Sequence, residues 1–108
     1  MRLVAAVINH DGTILRCTST EEKTGALNLL LIKHGGDGKY LFEFVEPFEG
    51  IPAVVTSQVS APGKDGYNTL GLNTCSVGGL TEHFVYFTTY SHDGQLRDCN
   101  FSFVAVEC

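Results

Sequence analysis

The chain has 108 residues, 44% of them apolar and 18% charged, with a net charge of −5. That length fits one domain, which hides roughly two-thirds of its unfolded surface and forms one modest core without an obligatory metal or disulfide. Seven scattered Lys and Arg exclude the clustered positive charge of a nucleic-acid partner, and no apolar run approaches the ~18 residues of a membrane span.

Eight β-rich runs follow one another, separated by turn signals. They are Leu3 to Asn9, Thr13 to Thr18, Ala26 to Lys33, Lys39 to Val45, Ala53 to Ser60, Asn68 to Val77, Glu82 to Tyr90 and Asp98 to Glu107. The first resembles a signal peptide only briefly. Its apolar stretch, Leu3 to Ile8, is too short for an h-region. The expected location is therefore the cytoplasm, release without a cleaved signal, or a virion or other particle.

Several runs alternate with period two. Tyr40, Phe42 and Phe44 share one face, and Phe101 and Phe103 share a face with Ala105. Phe84 and Tyr86 share a face with Thr88 and Tyr90, and all these aromatics are expected in the core. Pro47 and Pro52 lack N–H donors, so the corner between them breaks the ladder and crosses from one sheet to the other. A Gly78-Gly79 turn is expected before the seventh strand. No segment holds a helical period. The expected architecture is all-β, an antiparallel β-sandwich of about eight strands, in a single domain over 1–108.

Asp-Gly occurs four times, at Asp11-Gly12, Asp37-Gly38, Asp65-Gly66 and Asp93-Gly94. Asp tolerates left-handed backbone and Gly adopts it freely, which makes the pair a hairpin signal. With strands alternating in direction, all four turns lie at one pole. Three carry a histidine: His10, His34 and His92. The pole is thus expected to form a polar rim of His10, Asp11, His34, Asp37, Asp65, His92 and Asp93, competent to hold a ligand or, through its His and Asp side chains, a metal. Tyr67 and Tyr90 lie close to these turns and are candidates to stack on a ligand ring. The alternative is that Asp-Gly serves turn geometry alone and the histidines are solvated. No standard zinc or EF-hand spacing occurs, and no cofactor is expected.

Cys17, Cys75, Cys99 and Cys108 show no C-x-x-C spacing and are expected as free thiols. The topology puts Cys17, Cys75 and Cys108 toward the other pole, where a disulfide or a metal pair is the alternative, and Cys99 near the Asp-Gly turns. No nucleophile elbow, phosphate-binding loop or H-E-x-x-H pattern occurs. Catalytic residues are therefore none, with a Cys75–His83 nucleophile–base pair as the weaker alternative.

Val7 to Leu15 resembles the "V-N-x-D-G-T-I" opening of a family of small β-sandwich domains. Gly38 to Phe44, Pro47-Phe48 and Ile51 to Thr56 resemble its central motif, and Asn100 to Val106 its closing "F-x-F-x-A-x-G" strand. Such domains end phage tail fibres and bacterial surface proteins and are similar to H-type lectin domains. The resemblance implies a homotrimer or a multiple of three with an adhesive, carbohydrate-binding role. The chain departs from it in ending Glu107-Cys108 and in having no Trp. No sugar-contact residue carries over. The expected function is a non-enzymatic binding module for a glycan or cell surface. A structural trimerisation or capping domain is the first alternative and a small Cys/His enzyme the second.

Overall fold

The computed structural model describes residues 1–20, 28–58, 74–91 and 94–108. Eight strands follow in chain order: β1 (Leu3–Ile8), β2 (Ile14–Ser19), β3 (Leu29–His34), β4 (Lys39–Phe44), β5 (Ala53–Gln58), β6 (Thr74–Leu80), β7 (Phe84–Tyr90) and β8 (Phe101–Val106). They form two four-stranded antiparallel sheets, ordered β2-β1-β8-β5 and β3-β4-β7-β6. The protein is an all-β sandwich, as its alternating runs and turn signals predict. No helix among the described residues is long and apolar enough to cross a membrane.

Alternation decides what each sheet buries. In β1, Val4, Ala6 and Ile8 point inward, and in β8, Phe101, Phe103 and Ala105 meet them in register on the same sheet. Across the sandwich stand Tyr40, Phe42 and Phe44 of β4 with Val85 and Phe87 of β7. The aromatic rings interlock at tilted or edge-on angles: Phe87 lies 4.9 Å from Phe101 and 4.8 Å from Phe103, ring centre to ring centre. Such geometry suits the ring quadrupoles and adds to the gain from burial.

The seventh strand corrects one expectation. Val85, Phe87 and Thr89 face the core, whereas Phe84, Tyr86, Thr88 and Tyr90 lie on the outer face. Both sets alternate equally well, so periodicity could not rank them. Pairing with β4 does: Phe42 sits opposite Val85 and Tyr40 opposite Phe87. The Gly78-Gly79 turn is also corrected. Those glycines lie inside β6, where the register with β7 shifts between Val77 and Gly79. The strand continues to Leu80, and the turn falls at residues 81–83.

The proline corner does carry the chain between sheets, from β4 to β5. Phe48 is buried there against Phe44, with ring centres 5.0 Å apart. Arg2, itself buried, lays its guanidinium 4.4 Å above the Phe48 ring. It donates hydrogen bonds to the carbonyls of Glu46 and, at 2.8 Å, of Pro47. A cation so placed satisfies carbonyls that the broken ladder leaves without partners.

Candidate functional site

The Asp-Gly pole is built by backbone first. The β1–β2 loop closes with Asn9 N–H donating to the Thr13 carbonyl (2.8 Å) and Gly12 N–H to the Asn9 carbonyl (2.9 Å). Gly12 has φ +92°, the left-handed residue of a turn followed by a bulge. The loop after β7 repeats the pattern, with Ser91 N–H donating to Gln95 and Gly94 N–H to Ser91, both at 2.9 Å. Asp65, Tyr67, His92 and Asp93 lie outside the described residues, and so does the Asp65-Gly66 turn.

After that second loop the chain does not enter β8 at Asp98, as its β-rich run suggests. Residues 96–100 form a strap across the end of the sandwich. Leu96 bridges to Tyr90, and Arg97 N–H donates to the Thr89 carbonyl at 3.1 Å. Asp98 accepts from Gly38 N–H at 2.6 Å, and Asn100 Oδ1 accepts from His10 N–H at 2.8 Å. The strap thereby ties the β1–β2 and β3–β4 hairpins together.

The pole does gather His10 and His34, but as structure beneath the strap. His34 stacks on Tyr40 with ring centres 4.4 Å apart and planes 7° from parallel. Its Nε2 lies 3.1 Å from Asp98 Oδ1, near enough for attraction when the ring is protonated, though not aligned as a hydrogen bond. The side chain is only 15% exposed, which removes His34 from any solvent-facing rim. Tyr40 O–H donates to the His10 carbonyl at 2.7 Å. Burial, helped by the Asp98 charge, holds the Tyr40 hydroxyl well above its ordinary pKa.

A bulge explains the correction at His34. The β3–β4 register shifts between Leu31 and Lys33, leaving Ile32 as the extra residue. Strict alternation from Leu29 and Leu31 sends Lys33 inward and His34 outward. The slip reverses both: Lys33 pairs with Leu41 on the outer face, and His34 pairs with Tyr40 inside.

The remaining picks stay on the surface. His10, Asp11 and Asp37 are exposed, while Tyr90 is partly buried on the outer face of β7. Asp11 Oδ1 accepts from Thr13 N–H at 2.9 Å and from Asn9 Nδ2 at 3.0 Å. The Thr13 backbone bond leads in holding its carboxyl down to about 2. That is a turn-stabilising role.

Beside the pole, on the outer face of the β3-β4-β7-β6 sheet, lies a groove of about 530 Å³ lined by Lys33, Gly35, Asp37, Lys39, Leu41 and Tyr86. Of these only Asp37 was singled out from sequence. Leu41 pairs with Lys33 on one side and Tyr86 on the other, which sets an apolar floor between two strands. The Tyr86 ring lies against Gly78: a Cβ there would come within 2.8 Å of Tyr86 Cδ2. Glycine at the β6 bulge thus makes room for the ring on the sheet surface. Lys39 Nζ stands 3.7 Å from Asp37 Oδ2, whereas Lys33 has no ion pair among the described residues. The signal missed was the paired bulges, which aim Lys33 and seat Tyr86. Neither is visible in one strand alone.

Cys75 and His83 are not brought together. Cys75 pairs with Thr89 and His83 precedes Phe84, so six strand residues, about 20 Å, separate them. Cys75 Sγ instead sits 3.2 Å from Thr56 Oγ1 of β5, where the sheets close at one edge. Burial pushes its thiol up to about 11. Its place near the Asp-Gly pole, rather than the other one, follows from β6 running on to Leu80. Cys17 of β2 lies at the opposite edge, and all four cysteines are free thiols. Among the described residues no group of three His, Cys, Asp or Glu stands ready to hold a metal.

The fold defines the class: an antiparallel β-sandwich of two four-stranded sheets with a structural pole and a lateral groove. No family model, curated protein or solved structure matches the chain.

Proposed function

We propose that the protein is a non-enzymatic binding module that recognises carbohydrate through the groove between Lys33 and Tyr86. One observation carries this: a tyrosine ring laid against a glycine on a rigid sheet, with Leu41 beside it and charged donors and an acceptor at its border. Sugars present one apolar face and a rim of hydroxyls. An aromatic platform with polar groups around it complements that pattern. Strands hold the platform, so little ordering accompanies binding. The test is a glycan array probed with the folded protein and with Tyr86→Ala. Specific signals that the variant loses support the module. A silent array from a verified folded sample refutes it.

A second role, self-association, rests on a different surface. The outer face of β2-β1-β8-β5 presents Leu3, Ala5, Val7, Val55, Val104 and Val106, with Arg16 as its charged residue. Val55 is 71% exposed. A largely apolar sheet face, with Thr18, Ser57 and Ser102 among its valines, suits contact with a second copy, as in the homotrimer that the family resemblance implies. Several copies would raise weak single-site affinity through avidity. Light scattering of the protein and of Val55→Lys tests this: an oligomer that the variant dissociates supports it, and a monomer at high concentration refutes it.

A further inference from the structure

We infer that the groove takes an acidic saccharide, a sugar ring carrying a carboxylate or sulfate; this rests on the carbohydrate reading above and names its substrate class. Lys33 and Lys39 lie on the same outer face, joined through Leu41, and Asp37 borders them. Two cations against one carboxylate leave the border with a charge of about +1 in a chain whose net charge is −5. Lys39 already leans on Asp37 at 3.7 Å. Lys33 has no such partner among the described residues and stands exposed at the groove edge. An anion is therefore attracted to this border and repelled by most of the surface.

The remaining groups assign the rest of the ligand. Tyr86 and Leu41 face the apolar side of the ring, and Asp37 accepts from a hydroxyl. The neighbouring row on the same face carries Thr88 and Ser76, whose hydroxyls are 2.9 Å apart. They extend the polar border along β7 toward a second sugar. The anionic group belongs beside Lys33.

Calorimetric titration with tri-galacturonate and with neutral galactotriose tests this. The acidic trisaccharide is expected to bind up to about fivefold tighter per lysine engaged, the upper end for one exposed ion pair. The preference shrinks as salt rises, because exposed charges are screened. Lys33→Gln is expected to remove most of the preference while leaving neutral binding in place, and Tyr86→Ala is expected to remove both. Equal affinities for the two trisaccharides overturn the acidic assignment and leave the carbohydrate groove standing. A preference that survives both Lys33→Gln and Lys39→Gln overturns it as well. No binding of either, on protein with native melting behaviour, overturns the groove and the assignment together.

Discussion

Two glycines in one hairpin should respond very differently to a single methyl group. Gly36 and Gly38 both adopt left-handed backbone, with φ of +81° and +80°. Alanine there costs about 1–2 kcal/mol at either site, because Cβ crowds the carbonyl. Nothing lies within 4 Å of a Cβ at Gly36, so Gly36→Ala should lose only that amount. At Gly38 the Cβ would meet the Thr89 carbonyl oxygen at 2.5 Å and Arg97 N at 2.9 Å, both backbone atoms. Relief means moving the hairpin from β7 and the strap, which weakens Thr89 N–H to the Gly38 carbonyl (2.8 Å) and Gly38 N–H to Asp98 (2.6 Å). A backbone bond contributes about 1 kcal/mol and a bond to a charged acceptor about 1.5–3 kcal/mol. Gly38→Ala should therefore cost at least about 3 kcal/mol, a large share of a small domain's stability. Urea unfolding followed by circular dichroism measures both. In thermal scans the Gly36 variant should fall by about 4–8 °C per kcal/mol lost, and the Gly38 variant by at least twice as much. Should Gly38→Ala fail to fold, Asp98→Ala removes one of the same bonds and should still cost about 2 kcal/mol. Equal losses at Gly36 and Gly38, or a neutral Asp98→Ala, would refute the strap as the element that locks this pole.

Three further outcomes follow from the packing. Phe42→Ala, fully buried among Phe87, Phe101 and Phe103, should cost about 3–5 kcal/mol, whereas Phe84→Ala on the outer face should cost about 1 kcal/mol or less in the same urea titration. Asp11 has a folded-state carboxyl held below its ordinary value, so its stabilisation is present above about pH 4 and is lost as pH falls toward about 2. The difference in unfolding midpoint between wild type and Asp11→Ala should shrink to nothing across that window; a difference that grows on acidification contradicts the assignment. With a thiol-specific reagent at pH 8, Cys108 should react first, and Cys99 and Cys75 only after denaturant is added, because burial raises both thiols.

All eight strands were legible, since hydrophobic runs and Asp-Gly turns are local properties of the chain. The proline corner was legible too, because a missing N–H breaks a ladder wherever it falls. Faces were harder. Phe84, Tyr86 and Tyr90 look as core-worthy as Val85 and Phe87, and only pairing with β4 chooses between the two sets. The Ile32 and Gly78 bulges are likewise long-range outcomes, since each is a mismatch between two strands. The Ile32 bulge turned His34 from a rim residue into a partly buried partner of Tyr40 and delivered Lys33 to the groove. The Asp-Gly turns were placed correctly at one pole among the described residues. There Asp11 serves turn closure and His34 packs under the strap, while Asp37 borders the recognition surface proposed on the neighbouring face.

The most direct test is an amide-resolved NMR titration of the folded protein with tri-galacturonate. Shift changes confined to residues 33–41, Ser76, the glycines beneath Tyr86, and Tyr86 to Thr88 are the predicted result. Changes centred on the 9–12 loop or on the outer face of β2-β1-β8-β5, with the groove silent, would contradict it.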